Sequence, residues 1–232
     1  MRRFTVAALA GICVLAAACG GNSDKSTSGS GGPTSSTPSP PLAVGALDGL
    51  FLSSDPINTA MGTTGMTAAG SGAKLADDTA LISDKNCLAV QDSAELPVYA
   101  GSGWTAVRGQ VLQQPVDKLT ESVDQALVLF PDATRAAAFF TAAPARWQSC
   151  ANRQFTETPT GQSPATWTVS AVSNTNGTLS VRRTSSSLAG WNCQRALTVR
   201  NNVAVDVAAC GYAEGDFGAN IAHQIADKIP NQ

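Results

Sequence analysis

Few side chains in this sequence have the spacing that chemistry needs. The single histidine, His223, stands four residues before Asp227. On a helix that spacing sets an imidazole beside a carboxylate, the fragment from which a general base is built. No nucleophile accompanies it: there is no G-x-S-x-G motif, and a triad through His223 has no serine nominated by any pattern. On an exposed helix the pair reads as a surface contact. The adjacent carboxylates Asp77 and Asp78 bind a cation or exchange protons only where other oxygen ligands converge. No EF-hand pattern surrounds them, and a solvated loop is expected. A P-loop and a G-x-G-x-x-G turn are both lacking. The tryptophans Trp104, Trp147, Trp167 and Trp191 can line a cleft or fill a core. Trp104 and Trp191 are the candidate ligand contacts among them.

The element that must position these groups is a hairpin over residues 190–211, GWNCQRALTVRNNVAVDVAACG. Two β-favouring runs flank Asn201-Asn202, and asparagine tolerates the positive φ of a two-residue turn. If Arg200 and Val203 close the turn, Cys193 falls opposite Cys210 at a non-hydrogen-bonded pair. Cα atoms there lie about 4.5 Å apart, within disulfide reach. The same register puts Arg195 opposite Ala208 and Leu197 opposite Asp206. Arg195 and Asp206 then share the disulfide's face on a diagonal. A cross-strand ion pair accounts for both; on the wall of a cleft they would instead meet a polar ligand.

Cys87 and Cys150 are left to pair with each other. Metal ligation is the alternative for the four cysteines, but no C-x-x-C spacing exists and only one histidine is available.

The chain opens on Arg2, Arg3 and an apolar run ending in LAAAC at Cys19. This suits a signal peptide over residues 1–18, followed by a lipidated Cys19. An ordinary cleavage site with Cys19 incidental is the other reading. Between Gly20 and Pro41, 19 of 22 residues are Gly, Ser, Thr or Pro. That composition cannot order itself and acts as a tether with an r.m.s. span of roughly 25 Å. Residues 42–232 then form one domain. Removing Arg2 and Arg3 takes the formal net charge from −2 to −4. Charges are sparse and mixed in sign, which argues against nucleic acid as a partner and leaves membrane contact to the lipid alone.

Along the domain, Ser54 is the expected cap of a short helix that Gly62 ends. Strands are expected near residues 66–69, 104–113 and 123–130, the last of them central. A helix starts at Pro131-Asp132 with Ala136, Phe140, Ala143 and Trp147 on one face, and Pro144 should kink or restart it. Asn176-Gly177 marks a second hairpin between strands at 165–172 and 178–183. Residues 220–229 form a helix with Ile221, Ile225 and Ile229 inward. These elements make the fold α+β, an antiparallel sheet built from hairpins with packed helices.

The strings CQRALTVRNNVAVDVAACG, GSGWTAVRGQVLQQP (101–115), VSNTNGTLS (172–180) and NIAHQIADKIP (220–230) resemble the PknH-like extracellular sensor domains of mycobacteria and relatives. The resemblance runs from about Leu42 to Pro230. It implies an α+β fold with a large cleft and disulfides Cys87–Cys150 and Cys193–Cys210. It carries over no cofactor, catalytic residue or agreed ligand. The expected function is a lipid-anchored extracytoplasmic module, on the outer face of the cell membrane, that binds a small or polymeric envelope ligand without catalysis. Docking of another envelope protein is the alternative, and an envelope hydrolase using His223 is the third reading.

Overall fold

In the computed structural model, residues 39–115 and 121–231 are described. The expected signal peptide, Cys19 and nearly all of the tether lie outside them. Nine strands make one antiparallel sheet among these residues: β1 (Thr67–Gly72), β2 (Ala106–Gln113), β3 (Glu121–Leu129), β4 (Gln154–Glu157), β5 (Ala165–Val169), β6 (Ser173–Thr175), β7 (Thr178–Ser185), β8 (Asn192–Arg200) and β9 (Val203–Gly211). Their order is β1-β2-β3-β9-β8-β7-β5-β4, with β6 beside β7. Hairpins supply most of these neighbours. The pairing of β3 with β9 joins strands about eighty residues apart and fuses the hairpins into one sheet.

The β8–β9 register is the one expected from the turn. Arg200 faces Val203, Leu197 faces Asp206, Arg195 faces Ala208 and Cys193 faces Cys210. Asn201 takes φ 51°. Both turn asparagines are buried, which explains why neither is glycine. The Asn202 amide donates to Leu42 O and Phe130 O, at 3.0 and 2.8 Å, while its Oδ1 accepts from Leu42 N at 2.8 Å. The turn thereby pins the start of the domain to the end of β3.

Helices cover both faces of the sheet. On one face, α1 (Ser54–Met61), α5 (Phe217–Asp227) and a 3-10 segment (Val44–Leu50) pack on Leu112, Leu127, Val205 and Val207. On the other, α4 (Ala133–Gln148), α2 (Leu88–Gln91) and α3 (Leu96–Tyr99) pack on Val128, Leu179, Leu197 and Ala204. All nine residues of β9 are buried, as its near-continuous apolar run requires of a strand covered twice.

Several local expectations shift. The N-cap position of α1 is Ser53 rather than Ser54, with no side-chain capping bond, while Gly62 ends the helix at φ 66° as expected. The buried stripe of α4 is Ala136, Phe139, Ala143 and Trp147, with Phe140 only partly covered. Helical period alone favours the i+4 step, but Phe139 is the ring that packs on Tyr99 and Phe130, with centroids 4.5 and 5.4 Å away. Pro144 sits inside an unbroken helix. The strand expected at 165–172 divides into β5 and β6, and only β6 forms the Asn176-Gly177 turn with β7.

Both disulfides are formed. Cys193 and Cys210 are joined across the hairpin with Cα atoms 4.0 Å apart, and Cys87–Cys150 ties α2 to the end of α4.

Candidate functional site

The sheet face carrying the Cys193–Cys210 bridge has a row in which two charged residues, Arg195 and Asp124, stand among apolar ones. Register sets Val181, Arg195, Ala208, Asp124 and Val111 side by side on β7, β8, β9, β3 and β2. Asp206 lies one row toward α4. Arg195 and Asp206 are 2 and 0 % exposed, and they pair through two hydrogen bonds of 2.7 Å. Asp206 Oδ2 also accepts from Tyr99 OH at 2.8 Å and Ala94 N at 3.0 Å. Arg195 Nη1 donates to the carbonyls of Ala89, at 3.1 Å, and Asp92. The pair expected from the hairpin is present, and its remaining hydrogen-bonding capacity is turned toward the segment 89–99 rather than toward solvent. Burial, and then the neighbouring Asp206 carboxylate, push the Tyr99 phenol well above its ordinary range, so it stays a donor.

Together with residues 76–88, that segment forms a wall across the sheet. It starts near β1, where Ala76 bridges Glu95, and reaches β4, where Ile82 bridges Glu157. On its α4 side the sheet is covered by core. On the other side, over β1–β3, it leaves a cavity of about 360 Å³. Asp124 and Ala126 floor it, Ser93 and Ala94 form the wall, and Gly70, Gly72 and Gly109 leave the β1–β2 side free of side chains, with Lys74 at the rim.

Asp124 is the unusual group here. It is partly buried and, among the described residues, has neither hydrogen-bond nor ion-pair partner. Burial and then the Asp92 carboxylate raise its pKa to about 7, against the opposing pull of Arg183. Arg183 is engaged elsewhere: it pairs with Glu157 at 3.3 Å and stacks 4.3 Å over the Trp167 ring. Asp92 is also raised, first by its own burial. Further along the wall, Glu95 is buried, with Oε2 accepting from Asp78 N at 3.1 Å and Oε1 unpaired. Burial lifts it to about 8. The β3 run ESVDQALVL shows Asp124 as an acid in a central strand, which was the available signal for it. Glu95 had none, since its burial comes from the long-range fold of the wall.

The other sequence candidates lie apart from this cavity. Trp104 is partly buried against the α4-side core. Trp191 lies beyond the disulfide and meets Tyr212 edge-on at 5.1 Å, with Tyr212 exposed. His223 and Asp227 do not pair: His223 Nε2 meets Thr178 Oγ1 at 2.6 Å, and Asp227 lies 3.6 Å from Arg200. Thr178 is 3 % exposed, so this hydroxyl is held in the sheet rather than presented to a substrate. Asp77 lies in an exposed loop, where Thr79 lowers its pKa first through the hydroxyl and then through the backbone N–H, which Asp77 accepts at 3.1 Å. Among the described residues, no three His, Cys, Asp or Glu side chains converge on a point that would hold a metal.

Residues 42–228 match the model of the PknH-like extracellular domain. The serine/threonine-protein kinase PknH of Mycobacterium tuberculosis is 35 % identical over 192 residues, covering 83 % of this chain and 30 % of that protein. Its counterpart in Mycobacterium bovis is 35 % identical as well, with 32 % of its length covered. The chain thus spans about a third of the kinases it matches. The crystal structure of the extracellular domain of PknH from M. tuberculosis superimposes with a TM-score of 0.77 at 35 % identity, over 82 % of this chain and 97 % of that one. No described helix is long and apolar enough to cross a membrane.

Proposed function

The chain belongs to the PknH-like extracellular domain family, and from that membership we propose that it is a lipid-anchored, non-catalytic sensor domain that takes a small envelope ligand into the cavity over β1–β3. Cys19 carries the lipid, and the tether before Leu42 holds the domain clear of the headgroups. The observation that carries the reading is Asp124, a partly buried carboxylate with no partner of its own, on the floor of an open cavity. A carboxylate drawn partly out of water with no hydrogen-bond partner keeps its accepting capacity for a ligand. Rigidity supports the same reading. The wall of the cavity is fixed to the sheet by the Arg195–Asp206 pair, and the Cys87–Cys150 bridge ties α2 to α4. A preformed site of this kind loses little order on binding.

The reading is tested by differential scanning fluorimetry of the mature domain against the low-mass fraction of an envelope extract. A small ligand raises the melting temperature by linkage. A rise with the macromolecular fraction alone would overturn it in favour of docking to another envelope protein.

A further inference from the structure

The cavity over β1–β3 presents charge of both signs at separate places. Asp124 lies on its floor and Lys74 on its rim, while Val111, Ala76, Ala94 and Ala126 give it an apolar lining between them. Its volume, about 360 Å³, is roughly ten times that of a water molecule and far exceeds a bare ion. A simple amine would satisfy Asp124 but be repelled at the rim, and a simple acid would do the reverse.

We infer that the ligand is a small zwitterion of amino-acid or dipeptide size, with its ammonium on Asp124 and its acid group on Lys74. This rests on the reading of the cavity as the ligand site. The ammonium supplies what the strand neighbours do not, since Asp124 is flanked by Ala208 on β9 and Val111 on β2. The other charged groups on this side are already engaged. Arg183 is paired with Glu157 and Arg195 with Asp206, while Asp92 adds negative potential that favours a cation. Ser93 on the wall offers a hydroxyl to either end of the ligand.

Binding is coupled to protons. Asp124 must be ionised to hold an ammonium, so affinity falls about tenfold for each pH unit below its pKa of about 7. The test is calorimetric titration of the mature domain with L-alanine, D-alanine, γ-aminobutyrate and dialanine, with putrescine and succinate as controls that carry charge of one sign only. At least one zwitterion is expected to bind more tightly than either control. Asp124→Asn should weaken it tenfold or more, and Lys74→Gln should weaken it several-fold. Asp124→Asn removes no hydrogen bond, and its melting temperature at neutral pH serves as the folding control. Equal binding by the Asn variant, affinity independent of pH, or no binding by any zwitterion at about 10 mM would overturn the inference. If the low-mass extract still raises the melting temperature in those cases, only the ligand class is wrong. If it does not, the ligand site falls too.

Discussion

Two carboxyls dominate the molecule at the scale of single residues, and they act in the same direction. Glu95 and Asp124 hold their protons to about pH 8 and about pH 7, because each is taken out of water without a cation beside it. A folded-state pKa above that of the unfolded chain means that folding favours the protonated acid. The stability this lends is complete below the ordinary carboxyl range and is lost as pH rises through 7 and then 8. The melting temperature of the free protein should therefore fall from about pH 4 to about pH 8 and level off above that. Glu95→Gln and Asp124→Asn should each flatten that slope, measured by thermal denaturation in matched ionic strength. A profile unchanged in both variants would contradict the electrostatic account. Arg195 and Asp206 show the contrasting case, in which two buried charges satisfy each other through two hydrogen bonds of 2.7 Å. The sequence exposed that pair because a diagonal on one hairpin is a local relation. Glu95 stayed hidden because its burial depends on a segment folding back over strands more than a hundred residues further on.

The β8–β9 hairpin is the element that was most legible. A two-residue turn leaves one register open, and period-two alternation then fixes which side chains share a face. The pairing Cys193↔Cys210 and the placement of Arg195 and Asp206 all follow from it. What did not follow was the wall over residues 76–99. Its turns carry no periodicity, and buried side chains of the sheet hold it in place. Helix α4 shows a smaller miss of the same kind. Pro144 signals a break, yet the packing of Ala143 and Trp147 on the sheet carries the helix through it. The hairpin bridge closes a short loop, with a sequence separation of 17, and the Cys87–Cys150 bridge a longer one of 63. Replacing Cys193 and Cys210 together by serine should cost about 3 kcal/mol, and the other pair about 4 kcal/mol. Urea denaturation checks this, and an equal or reversed ranking would show that native-state packing outweighs chain entropy.

As a whole molecule, the protein joins a sheet covered on both faces to one uncovered strip. The covered portion holds the core, and the strip over β1–β3 holds the cavity. An export signal and a lipid on Cys19 would place this domain on the outer surface of the membrane. Cys19→Ser should then move the protein from the membrane fraction to the soluble one, and retention in the membrane would refute the anchor. Family membership fits an extracellular sensor-like role, while the location of the site comes from Asp124 and its surroundings. The measurement that reaches this claim most directly is amide chemical-shift mapping of the labelled mature domain, titrated with the low-mass envelope fraction. The account predicts saturable shifts gathered at Ser93, Ala94, Gly109, Asp124 and Ala126, and absent in Asp124→Asn. Shifts centred on Trp191 and Tyr212 instead, or on Thr178 and His223, would contradict it.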